Sequence, residues 1–354
     1  MNKLDTIIEK IVPADESAKE SASARVDSLI KPIGSLGRLE DLAVQLAGIT
    51  GRVNNSFEKK CTVVMSSDNG VVEEGVASSP QEITAMQTVN MLKGITGISV
   101  LSKAAGSDIR VVDIGVKSDL DYPGLLVRKI KHGTDNMAKG PAMTRDEAIA
   151  SIEAGIEIVE ELVAEGYSIL GTGEMGIGNT STSSAVAMVL TGCGEEAIGK
   201  GAGLDDEAYR KKKEVISNAI SLNRPDSSDP IDVLSKVGGL DIGGLTGCFL
   251  GAAYHRIPVF VDGVISAVAA LLACRLNPNV KGYILPSHIS MEPAYRIVME
   301  ELGLRPFLDM DMRLGEGSGC PMGFQIVDMA CAMMNNMATF DEISLSDDFL
   351  VDIR

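Results

Sequence analysis

Gly171-Thr172-Gly173-Glu174-Met175-Gly176-Ile177-Gly178-Asn179-Thr180-Ser181-Thr182-Ser183-Ser184 is the stretch on which the reading of this chain turns. Before it stands Tyr167-Ser168-Ile169-Leu170, a short apolar run with the character of a buried strand. After it comes Ala185 to Leu190, apolar and helix-compatible, stopped by Gly192. A strand, a glycine loop over 171–178 and a helix opening on Asn, Thr and Ser make a place to hold a phosphate. Glycines let the backbone approach an anion, and the N–H groups and dipole of the first helical turn face it. Hydroxyls at the helix start either cap the helix or meet phosphate oxygens.

Gly171-x-Gly173-x-x-Gly176 also fits the dinucleotide fingerprint, which would imply an oxidoreductase. Two features oppose that reading. Glu174 would sit among amides meant for a pyrophosphate and repel it. The acid-tipped second strand expected about 20 residues on is replaced by a helix and Gly192-Cys193-Gly194. A glutamate beside a phosphate loop suits ribose hydroxyls better. A ligand-free glycine connection is the bland alternative, and the acid and hydroxyl cluster argue against it.

At 354 residues the chain holds one large α/β domain with an appendage, or two domains. A formal charge of −17 with no offsetting basic patch excludes nucleic acid and anionic membranes as partners. Six widely spaced cysteines without a C-x-x-C pair read as reduced core thiols, and three scattered histidines weaken any metal or Ser-His reading. No signal-peptide pattern opens the chain, and the apolar run from Gly263 to Cys274 is too short for a bilayer. The expectation is a soluble cytoplasmic protein.

Working outward, Leu4, Ile7, Ile8 and Ile11 form one helical face, a second helix spans about Ser17 to Leu29, and Leu39, Leu42, Ala43, Leu46 and Ala47 stripe a third. Cys61 to Met65 is the first clear strand and ends at Asp68. Thr144-Arg145-Asp146-Glu147 is a capping box opening a helix that runs to Gly166. Further strands at Arg110–Ile114, Pro258–Val261 and Tyr283–Pro286 alternate with helices, which implies a mainly parallel sheet covered on both sides. Asp68, Glu174, Asp262, Ser290 and Glu292 all follow strands, so they would line one crevice. Glu316, held among Gly315, Gly317 and Gly319, could accept a proton from a nucleophile. Phosphate, ribose and a carboxylate base are as far as the residues alone lead.

Several separated motifs then carry a resemblance: Lys31-Pro32-x-Gly34-Ser35-Leu36-Gly37-Arg38-Leu39-Glu40, Gly173 to Thr180, Asp262-Gly263, Ser290-x-Glu292-Pro293 and Leu314-Gly315-Glu316-Gly317-Ser318-Gly319. In this order the chain resembles the nicotinate-nucleotide–dimethylbenzimidazole phosphoribosyltransferases. The resemblance implies a three-layer α/β fold, with residues 1–55 and 321–354 forming a small helical domain around a catalytic domain at 56–320. It implies a homodimer without cofactor or metal, working in cobamide nucleotide-loop assembly. Its substrates would be nicotinate mononucleotide and an aromatic base. Glu316 would take the azole proton and Glu174 would serve the ribose and the developing cation. Gly176, Gly178, Asn179, Thr180, Ser290 and Lys212 (or its neighbour Lys213) would bind the nucleotide. Asp68, Ser79, Gln87 and Leu314 would shape the base pocket.

The chain departs from the family pattern at Asn69, where histidine is usual, at Ser79, where tyrosine is frequent, at Ala202 for threonine and at Cys320 for alanine. Loss of an aromatic wall changes what stacks in the base pocket. Acceptors other than 5,6-dimethylbenzimidazole (another azole, a purine or a phenol) therefore stand as alternatives, as does a non-catalytic nucleotide-binding paralogue.

Overall fold

Successive residues of a strand face opposite sides, so a strand apolar on both must be covered on both. β1 (Lys60–Ser67) is of this kind, buried over its last seven residues. In the computed structural model, which describes residues 3–201, 203–346 and 350–354, Val63 and Met65 join one apolar core and Val64 another. Ala202, one of the departures noted above, lies outside the described residues. Three helices precede β1: α1 (Lys3–Lys10), α2 (Glu16–Ser28) and α3 (Arg38–Thr50). After it come α4 (Ile83–Leu92), α5 (Gly97–Ala104), β2 (Asp108–Gly115), β3 (Leu126–Val127), α6 (Arg145–Ala164), β4 (Ile169–Met175) and α7 (Asn179–Thr191). Next are α8 (Asp206–Asn223), α9 (Pro230–Val237), α10 (Leu240–Tyr254), β5 (Val259–Val261), α11 (Val264–Leu276) and β6 (Ile284–Pro286). The chain closes with β7 (His288–Ser290), α12 (Pro293–Leu302), β8 (Leu308–Met312) and α13 (Cys320–Asn336).

Six strands form one parallel sheet in the order β3-β2-β1-β4-β5-β6. The chain builds outward from β1 to β3, then crosses back to lay β4 on the other side of β1. The crossover through α4 and α5 covers one face and that through α6 the other. Leaving on opposite faces, they open a crevice where β1 and β4 end, the usual ligand position in such sheets. The expected α/β architecture is the observed one. The expected capping box at Thr144 and Glu147 is also present, each side chain bonded to the other's backbone N–H.

Two features were not expected. β4 does not stop at Leu170 but continues through the glycines to Met175, so Gly171 and Gly173 belong to a strand and not to a loop. Their missing side chains make room for protein. A Cβ at 171 would meet Cys320 Cβ at 2.5 Å, and one at 173 would meet the Glu316 carbonyl oxygen at 2.3 Å. The second feature is α10, helical despite four glycines. A Cβ on Gly155 of α6 would lie 1.9 Å from the Gly244 oxygen, so bare backbone is what lets α6 and α10 pack this closely.

On the face opposite α10, α3 and α13 share a core with Ile169, Phe260 and Leu285 of the sheet, and α2 packs on α3. The motif 31–40 fastens this layer. Lys31 and Glu40 form a buried ion pair at 2.8 Å. The Arg38 guanidinium donates to the carbonyls of Arg305 and Pro306 and lies 4.8 Å over the Phe307 ring. The segment it grips leads through β8 to Glu316.

Candidate active site

The crevice at the strand ends is a cleft of about 230 Å³, lined by residues of β4, α4, α7 and the turn before α13. Two acids define it. Glu174, next to last in β4, is almost fully buried. Its carboxyl accepts a hydrogen bond from the Asn179 amide. Burial pushes its pKa up to about 8, and Asp241 and Asp262 nearby add to the rise. At neutral pH these influences favour the protonated form of Glu174.

Glu316 arrives from the other side. Gly315, Glu316 and Gly317 all have left-handed backbone, with φ of 80°, 61° and 92°, a strained conformation for a glutamate. Asp262, at the end of β5, secures the turn by accepting from Gly317 N at 3.0 Å and Gly319 N at 2.7 Å. Burial raises the Asp262 carboxyl to about 7 against these bonds. Glu316 Oε2 accepts from Ile98 N at 3.0 Å in the first turn of α5, whose N–H groups and dipole suit a carboxylate. Its Oε1 has no donor among the described residues. One oxygen is thus held and the other is free to take a proton.

The opposite end of the cleft suits a phosphate. Asn179 and Thr180 open α7, and Gly178 before them has φ 92°. Lys212 of α8 is fully buried and donates to Thr180 Oγ1 at 2.9 Å and to the Gly199 carbonyl at 3.0 Å. Desolvation lowers it to about 8. Lys213 instead lies 4.8 Å over the Tyr209 ring, so Lys212 is the lysine placed at α7. Ser290, Glu292 and Gly201 complete this end.

A phosphoribosyltransferase family model matches residues 11–344. A nicotinate-nucleotide–dimethylbenzimidazole phosphoribosyltransferase of Clostridium tetani is 53% identical over 356 residues, covering 100% of this chain and 98% of that protein. One from Acetivibrio thermocellus is 57% identical over 319 residues, covering 90% and 91% respectively. The crystal structure of CobT from Thermus thermophilus superposes with a TM-score of 0.90 at 38% identity, covering 94% of this chain and 99% of that one. The chain belongs to the nicotinate-nucleotide–dimethylbenzimidazole phosphoribosyltransferase family.

Of the residues that the family resemblance singles out, the cleft gathers Glu174, Glu316, Gly176, Asn179, Thr180, Ser290, Gln87 and Leu314. Gly178 and Ser79 line an adjoining hollow that shares Gly176, Asn179 and Thr180 with it. Asp68 is not among the lining residues. It is roofed over, with Oδ2 accepting from Lys117 N at 2.8 Å and its carbonyl from Thr134 N at 3.0 Å. His288 is also kept out, bonded to Ser287 Oγ and stacked with Tyr295. Sequence reasoning missed Arg313, exposed at the cleft mouth, and Asp241, buried behind Asn179. Arg313 adjoins a motif already singled out, and that adjacency was its only signal. The end of the cleft toward α4 is walled by Ile83, Met175, Ile177 and Leu314, with no aromatic ring among its described residues.

Proposed function

We propose that this protein transfers the phosphoribosyl group of nicotinate mononucleotide to a lower-ligand base, 5,6-dimethylbenzimidazole or a related azole, in cobamide nucleotide-loop assembly. The two acids held across one cleft, Glu174 fixed and Glu316 with a free oxygen, carry the reading. The phosphate would rest on the start of α7, with Lys212 behind Thr180 supplying positive charge. The C1′–N bond to the pyridinium breaks with its electron pair going to the ring nitrogen. Nicotinate thereby leaves as a neutral ring and needs no general acid. The azole nitrogen attacks the opposite face of C1′, giving the α-ribosyl phosphate, while Glu316 Oε1 takes the proton from the other nitrogen. The pyridinium ring of the bound nucleotide favours the ionised form of Glu174, which then faces the ribose and the positive charge developing at C1′.

Aliphatic and thioether walls hold a flat base by contact rather than by ring stacking, which suits more than one acceptor. The protein is further read as a cytoplasmic homodimer whose small domain comprises residues 1–55 and 321–354. Exposed Ile95, Val100 and Met329 near the packed pair α5 and α13 support the dimer. No helix among the described residues is long and apolar enough to cross a membrane. The core shared by α3 and α13 supports the domain division.

The test is incubation of the protein with nicotinate mononucleotide and a panel of azoles, purines and phenols, following nicotinate release by chromatography. Base-dependent release that Glu316→Gln abolishes, with nucleotide binding retained, is the expected result. Nucleotide binding without release for any acceptor sinks the transferase reading in favour of a non-catalytic nucleotide-binding protein.

A further inference from the structure

Ile177 stands where two parts of the site meet. It lines both the main cleft and the adjoining hollow, and the residues after it lead into α7, where the phosphate seat begins. Gly176 and Gly178 on either side have no side chains with which to hold this loop. A Cβ at Gly176 would collide with the Ser67 carbonyl oxygen, and one at Gly178 would lie 2.7 Å from Val72 Cγ2. The loop is thus pressed against the end of β1 and the turn at 70–74. Its bonds to its own chain are short turns, Asn179 N to the Gly176 carbonyl at 3.2 Å and Ser181 N to that of Gly178 at 2.9 Å.

A side chain of α4 ties the loop to its neighbour. Thr84, in the first turn of that helix and wholly buried, accepts from Ile177 N through Oγ1 at 3.1 Å. Thr84 is itself held, its N–H donating to the Gln81 carbonyl at 3.0 Å and its carbonyl accepting from Thr88 Oγ1 at 2.7 Å. Ile83 and Gln87 of the same helix line the cleft. One hydroxyl therefore joins the α4 wall to the loop that opens the phosphate seat. With Ile177 N turned to Thr84, the N–H groups of Gly178 and Thr180 are without partners among the described residues, as donors for an anion should be.

We propose that Thr84 is a positioning residue of the transferase: its hydroxyl holds the 176–178 loop in its binding shape before either substrate arrives, so nucleotide and acceptor bind independently. The proposal rests on the reaction given above for what the two ligands are, but its test involves no turnover. Without the hydroxyl, Ile177 N loses its partner and the loop is free to move. The first ligand must then order it and the second finds it ordered, which makes the two bind cooperatively with no change in either one's contacts.

Inorganic phosphate and 5,6-dimethylbenzimidazole cannot react with each other. Isothermal titration of the full-length protein reads each alone, and the base again at saturating phosphate. In the wild type the Kd of the base is expected to agree within about twofold with and without phosphate. Thr84→Val keeps the shape and removes the acceptor oxygen. It is expected to weaken binding of the base alone about fivefold, roughly the worth of one hydrogen bond. Saturating phosphate is expected to bring that Kd back to within about twofold of wild type. Thr84→Ala, which sets no methyl against Ile177 N, should act as Thr84→Val does, and Thr84→Ser should bind as the wild type.

Base binding by Thr84→Val that matches wild type overturns the proposal. So does a loss that phosphate repairs no better than it does in the wild type, which marks damage to α4 alone, and so does a loss that Thr84→Ser shares. A wild type that fails to bind either probe overturns it as well. A wild type that binds both probes but releases no nicotinate from nicotinate mononucleotide instead fails the transferase reading, and the role of Thr84 is still decided.

Discussion

Gly173→Ala is the most demanding test of how the site is held. The added Cβ would stand 2.3 Å from the Glu316 carbonyl oxygen, 2.7 Å from its carbon and 2.8 Å from Gly317 N, all backbone atoms. Ordinary contact begins at 3.4 Å, so the turn must retreat by about 1 Å or β4 must bend. Asp262 ties the turn at Gly317 and Gly319, so the strain falls on Glu316 itself. Overpacking of this size costs about 1–3 kcal/mol of stability, which a domain of ordinary stability survives. Displacing a catalytic group by about 1 Å costs on the order of 100-fold in rate. The assay is steady-state nicotinate release beside thermal unfolding, with Gly140→Ala as control, since a Cβ there meets nothing within 4 Å. A Gly173→Ala protein that keeps kcat within about threefold of wild type would refute the claim that this glycine sets the position of Glu316, the base of the proposed mechanism.

Lys212→Met is expected to raise KM for the nucleotide at least about tenfold, since the buried ammonium is lost from α7, whereas Lys213→Met should leave it within about twofold. Because Lys212 is lowered to about 8, nucleotide affinity should decline as pH rises through that value, and isothermal titration between pH 6.5 and 9.5 reads both effects. Glu174 carries a second pH signature. Its folded pKa of about 8 lies above the 4.5 of a free side chain, so folding favours the protonated form. That contribution is fully present below about pH 4.5 and is lost as pH rises through 8. Glu174→Gln should therefore flatten the decline in stability toward alkaline pH, by up to about 1.4 kcal/mol per pH unit within that window. Denaturant midpoints at pH 6 and 8.5 that decline equally in both proteins would remove Glu174 as the source.

Local chemistry made part of this legible in sequence. The Thr144 capping box, the Gly192 stop and the Asn179 helix start are written in adjacent residues, and each was found where expected. β4 was cut short because glycines count against a strand interior. The reason for Gly171 and Gly173 lies at Cys320 and Glu316, far along the chain. α10 was missed for a related reason. Its glycines oppose a helix by propensity, and only the facing backbone of α6 shows why the helix forms. Asp68 followed the rule that polar residues at strand ends line the crevice, but the loop at 133–134 covers that end of β1. Asp241 carried no signal at all, since Gly176 and Asn69, which pack around it, come from other segments.

The docking of the 315–320 turn onto β4 also imposes an order on the birth of the molecule. Cys320 Sγ meets the Thr172 carbonyl across 148 positions of chain. A ribosome adding about 5–20 residues per second needs roughly 7–30 s to cover that stretch. Throughout that interval the groove over Gly171 and Gly173 is bare and no Glu316 has yet been synthesised. The nascent chain therefore carries β4 and the start of α7 well before the turn that bears Glu316, and a message cut short before that turn would yield a protein with the glycine strand but without the acid to which the mechanism proposed above gives the azole proton.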